Sequence, residues 1–188
     1  MGQMRVTRIG QAACLAVGMG TVAAGLAAQD VRNPFTSDAI ESLVYGVYCA
    51  DPPVELEDAP ETAAGVVNIV PTLPEMRAET TVVPARIGVG FGVLATARDG
   101  DVLDPVRVTI THPPYADSGI EVERWVTSID GEGPSLVGFS FETEGELVAG
   151  PWTFEADHEG ELLFRVAFEV VPAAMVPDLA QCGGAFLS

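Results

Sequence analysis

The chain contains no lysine: all nine of its basic residues are Arg, set against 27 Asp and Glu. Without its first 28 residues it keeps 7 Arg against 27 acids, a net charge of −20. A surface of that sign repels phosphate backbones and anionic lipid heads, so nucleic acid is excluded as an expected partner. Histidine is nearly as scarce, with only His112 and His158. A zinc site needs about three or four His, Cys or carboxylate ligands in recognisable spacing, and none is seen. Nucleophilic catalysis needs a Ser or Cys beside a base, and no Gly-x-Ser-x-Gly elbow occurs. No cofactor and no catalytic residue is expected. Calcium is weighed only at Asp99, Asp101 and Asp104 around one turn, where the EF-hand pattern is missing. The acidic residues are numerous enough to form carboxylate pairs by chance, and nothing in the sequence singles out two of them.

Long apolar runs are also missing, with one exception at the start. Met1–Arg8 carries two positive charges, and residues 9–25 are apolar and rich in Ala, Gly and Val. Leu26-Ala27-Ala28 follows, then the polar Gln29-Asp30. This is the three-part layout of a secretory signal peptide, with cleavage expected between Ala28 and Gln29. Export would then leave a chain with no membrane insertion, in the periplasm or secreted. Cys14 lies early in the apolar stretch, badly placed for lipid attachment. Two cysteines remain, Cys49 and Cys182, and an even count in an exported chain predicts one disulfide.

Fourteen prolines and twenty glycines punctuate the rest, and no helical periodicity survives them. Residues 29–39 read as a short polar lead-in, 40–171 as one β domain and 172–188 as a tail. Strands are predicted over Ser42–Cys49, Gly65–Val70, Ile87–Val93, Val106–Thr111, Val122–Ile129 and Ser135–Glu142. Pro151–Asp157 and Glu161–Val171 form the clearest hairpin, with Trp152, Phe154 and Ala156 sharing one face. The acidic, proline-bearing stretch Ala50–Ala63 reads as a loop. About eight short strands separated by turns predict an all-β, antiparallel immunoglobulin-like sandwich, preceded by the signal-peptide helix.

Gly88, Gly90 and Gly92 alternate with apolar residues in one strand. A nucleotide loop would need a helix after them, and none follows. Glycines in a strand signal close approach by another group. Two readings fit: a packed aromatic such as Trp125 or Trp152, or a shallow groove for an extended peptide with Trp125 at its side. Trp152 reads as core. Trp125 lies between Arg124 and Val126 and fits either role.

From Gly88 onward the chain resembles the bacterial family called domain of unknown function 3859. Gly88-Val89-Gly90-Phe91-Gly92, Thr111-His112-Pro113-Pro114 and Gly138-Phe139-Ser140-Phe141 carry the likeness. So does Glu146–Phe154, whose Gly150-Pro151-Trp152-Thr153-Phe154 is the most specific part, with Ala149 where the family tends to have Pro. The resemblance implies a sandwich fold in exported or envelope proteins and brings no catalytic residue. The function expected is a non-catalytic binding or assembly module of the cell envelope, whose partner is an envelope protein or peptide. Its candidate surfaces are Ala50–Ala63 and the loop Tyr115–Gly119. The alternatives are a carboxylate enzyme acting on envelope glycan or peptide, and a purely structural domain.

Overall fold

A computed structural model describes residues 33–182. The expected signal segment and its Ala28–Gln29 cleavage point lie outside the described residues. Among the described residues eleven strands form in chain order: β1 Phe35–Thr36, β2 Ile40–Cys49, β3 Glu55–Asp58, β4 Val66–Ile69, β5 Val82–Ala85, β6 Val89–Ala97, β7 Val102–Thr111, β8 Val122–Asp130, β9 Ser135–Ser140, β10 Gly150–His158 and β11 Glu161–Pro172.

The larger sheet runs β1-β11-β10-β7-β8, with β5 also paired to β11 in a parallel ladder. The smaller sheet is β2-β6-β9, and β3-β4 is a separate hairpin. The chain passes from β6 in one sheet to β7 and β8 in the other, returns for β9, and crosses again for β10 and β11. That alternation between two packed sheets makes this an all-β, immunoglobulin-like sandwich.

Strand alternation builds the core. Val89, Phe91, Val93, Ala95 and Ala97 of β6 are fully buried. Across from them lie Trp152, Phe154 and Ala156 of β10 and Phe164, Val166, Phe168 and Val170 of β11. Phe91 is the hub: its ring centroid lies 5.4 Å from Trp152, 5.2 Å from Phe154, 5.3 Å from Phe168 and 5.4 Å from Phe141. Such tilted and edge-on pairs are the favoured aromatic geometries.

Cys49, the last residue of β2, is bonded to Cys182, with Cα atoms 5.3 Å apart. The expected bridge is therefore present, and it ties the C-terminal segment to the smaller sheet.

Some expectations fail locally. Ala50–Ala63 is not simply a loop, because Glu55–Asp58 pairs with Val66–Ile69. Backbone hydrogen bonding to β4 overrides the poor strand propensity of Glu and Asp. Strand β7 begins at Val102, not Val106, because Pro105 is accommodated where the register with β8 shifts. The lead-in adds the short strand β1, whose two residues pair with Phe164 and Arg165 at the outer edge of β11.

Candidate functional site

Strands β8 and β9 are edge strands of the two sheets and meet on one side of the sandwich. The β3-β4 hairpin lies over this side and roofs a cavity of about 210 Å³. Leu136, Gly138 and Ser140 of β9 form one wall, and Glu123, Trp125 and Thr127 of β8 form another. The roof comes from Val66, Val67, Asn68 and Ile69 of β4, and Tyr48 closes the end against β2.

Polar bonds fasten the hairpin. Its turn is closed by the Ala59 N–H donating to Gly65 O at 2.9 Å and the Thr62 hydroxyl donating to Ala59 O at 2.8 Å. The Ala63 N–H donates to Glu123 Oε2 at 2.9 Å. The Arg124 N–H donates to Glu61 O at 3.0 Å, so the hairpin turn occupies part of the β8 edge. On the other side the Asn68 amide donates to Glu142 Oε1.

Glu123 is the centre of this attachment and is only 4% exposed. Its Oε1 accepts the Tyr115 hydroxyl at 2.6 Å. His112 is buried between the rings of Tyr115 and Trp152, with centroids at 4.2 and 4.4 Å. His112 Nδ1 faces Pro113 O at 2.8 Å, and Nε2 lies 3.4 Å from Glu123 Oε1 without an aligned hydrogen bond. Burial pushes the Glu123 carboxyl up. The nearby His112 ring, the Tyr115 hydroxyl and the Ala63 amide outweigh that and hold it below the usual carboxylate range. The same burial, the bond to Glu123 and the negative charges of Glu123 and Glu146 raise the Tyr115 phenol far above its ordinary value. The cavity thus carries a fixed, ionised carboxylate in its wall.

Of the residues singled out from sequence, Trp125 lines the cavity, and the three glycines do not. Gly88 precedes β6 in a turn with φ +84°, so it does not share a strand face with the other two. The close approach to Gly90 comes from Tyr48, not from Trp125 or Trp152: a Cβ at Gly90 would sit 2.1 Å from the Tyr48 ring. Tyr48 pairs directly opposite Gly90 on β2, and its ring takes the space that the missing side chain leaves. A Cβ at Gly92 would meet Val137 O at 2.3 Å. Burial pushes the Tyr48 phenol up to about 12, with a hydrogen bond to Ser140 working the other way. Trp152 lies in the core, its indole N–H donating to Val148 O at 3.2 Å.

Tyr115, placed in a candidate surface loop, is buried instead and serves Glu123. Glu123 itself was not picked out from sequence, although a signal for it existed. Alternation along β8 puts Glu123 on the same inward face as Trp125, Thr127 and Ile129. A carboxylate in that row has to be paired. Among the described residues no three His, Cys, Asp or Glu stand together as metal ligands.

The chain is similar to known proteins in sequence and in fold. The crystal structure of an immunoglobulin-like protein from Pseudomonas aeruginosa is similar, at 19% identity over 76% of this chain and 100% of that one, with a TM-score of 0.49. No curated protein matches. The sequence pattern of the family described as Domain of unknown function (DUF3859) matches residues 36–170, and the chain belongs to that family.

Proposed function

We propose that this protein is an exported, non-catalytic binding module of the cell envelope, and that its binding site is the cavity under the β3-β4 hairpin. The signal-like start of the sequence and the Cys49–Cys182 bridge both suit an oxidising compartment outside the cytoplasm. One observation carries the choice of site: a cavity at the seam between the two sheets has a Trp and a Tyr in its walls and a buried carboxylate held by the Tyr115 hydroxyl and the Ala63 amide. Concave sites with aromatic walls and a few placed polar groups are where small ligands bind. The state of Glu123 favours binding over turnover. A general acid needs a raised carboxyl and a free proton path, whereas Glu123 is held low with both oxygens engaged.

The test uses the fact that the chain has two tryptophans, one of them in the core. The indole N–H signal of Trp125 is followed by NMR while a broad panel of small cationic, neutral and anionic fragments is titrated. Binding in the cavity shifts Trp125 and the β4 amides and leaves Trp152 unmoved. A panel in which nothing shifts Trp125 would sink the assignment of the site.

A further inference from the structure

The cavity has charge of one sign. Asp51, Glu57, Glu123, Glu142 and Glu146 all line it, and no Arg, Lys or His does. Resting on the cavity-binding reading above, we infer that the ligand is a small organic cation, presenting a primary ammonium or a guanidinium group.

Three features support a cation of this kind. Carboxylates around a low-dielectric recess focus their field into it and raise the local concentration of positive charge. Their roles also differ. Glu123 has both oxygens occupied and supplies charge alone. Glu142 Oε1 accepts from Asn68, and Glu146 Oε2 accepts from the Glu142 and Thr143 amides at 2.6 and 2.9 Å. Asp51 and Glu57 are exposed, and their side chains show no hydrogen bond or ion pair among the described residues, so their oxygens are free to meet a donor. Second, among the described residues the carboxylates form no metal-ligand cluster. Such a set suits organic ammonium and guanidinium groups, which carry several N–H donors, better than a compact metal ion that needs converging ligands. Third, the Trp125 and Tyr48 rings line the same space, and an aromatic face attracts an ammonium or guanidinium desolvated against it.

The space limits the size. At about 210 Å³ the cavity lies below the ~300–1,000 Å³ of drug-sized pockets. It accommodates one basic side chain of a peptide or a free small amine. The chemistry is the same for both sources.

The oxidised protein is titrated with ethylguanidinium, butylammonium, the uncharged isostere ethylurea and a blocked Gly-Arg-Gly peptide, with Trp125 and the β4 amides as readout. Ethylguanidinium is expected to bind about tenfold tighter than ethylurea, as the loss of a charge-assisted hydrogen bond requires. The Asp51→Asn/Glu57→Gln double variant should lose about tenfold in cation affinity with an unchanged melting temperature, because neither side chain supports the fold. Tighter binding of the tripeptide than of ethylguanidinium identifies a peptide side chain as the source; equal binding identifies a free amine. Ethylurea binding as tightly as ethylguanidinium, with Trp125 shifting for both, overturns the cation assignment and leaves the cavity as the binding site. No Trp125 shift with any of these probes overturns the cation assignment, and silence across the broader fragment panel as well removes the site itself.

Discussion

Two regions of this molecule are held together by different physics. Between the sheets, Phe91 is surrounded by Trp152, Phe154, Phe168 and Phe141, all fully or nearly fully buried. At the open side the β3-β4 hairpin is fastened by a few polar bonds to Glu123, Arg124 and Glu142. Its strand β3 is exposed throughout, including Val54 just before it and Leu56 within it. The first region gains its stability from buried apolar area, which is lost only when the sheets separate. The second depends on hydrogen bonds whose net worth is small and local. The hairpin is therefore expected to open at lower cost than the sandwich, as the roof of the proposed binding site requires.

The largest effect that sharpens the comparison comes from the hub. Phe91→Ala should cost about 3–5 kcal/mol in urea denaturation, the range for truncating a buried Phe. A loss under about 1 kcal/mol would mean that the aromatic cluster is not the main source of stability. Reduction of Cys49–Cys182 comes next. The bridge closes a loop of 133 residues. Removing a native disulfide costs about 2–5 kcal/mol, so dithiothreitol should lower the melting temperature by several degrees. Native protein that titrates with two free thiols would contradict this.

Gly90→Leu addresses the face between the two regions. The new side chain would meet the Tyr48 ring, so about 1–3 kcal/mol of overpacking strain is expected. Unchanged melting would mean that Tyr48 swings away freely, and the peptide-groove reading of this face would return. Glu123→Gln is comparable in global stability and the most specific in place. It should cost about 1–3 kcal/mol, the penalty for disturbing one buried charge-assisted set. Its pH dependence has a definite sign. The folded carboxyl titrates below its unfolded value, so its contribution is complete above the unfolded carboxylate range and is lost as pH falls through the folded value. The wild-type advantage over Glu123→Gln should therefore shrink on acidification below about pH 4, near the unfolded Glu value. An advantage that grows as pH falls would show the opposite shift.

The two regions also differed in how far the sequence disclosed them. Alternation over much of β6, β7, β10 and β11 announces strands, and one apolar face of each is in the core. The cysteine count was enough to predict the bridge. Strand β4 is predicted, but its partner β3 is hidden because Glu55, Glu57 and Asp58 are poor strand formers; they pair only because β4 and the Glu123 anchor present partners from elsewhere in the chain. The alternating glycines correctly signalled a close approach at Gly90 and Gly92. They did not identify the visitor, because Tyr48 reaches Gly90 through strand register, a long-range property that local pattern does not encode.

The most direct measurement is native-state hydrogen exchange of the β4 amides beside those of β6, with and without saturating ethylguanidinium. Strand β4 is expected to exchange by local opening well before β6, and the cation to slow β4 while leaving β6 unchanged. Equal exchange of β4 and β6 in the free protein, with no protection of β4 by any cavity ligand, would contradict it.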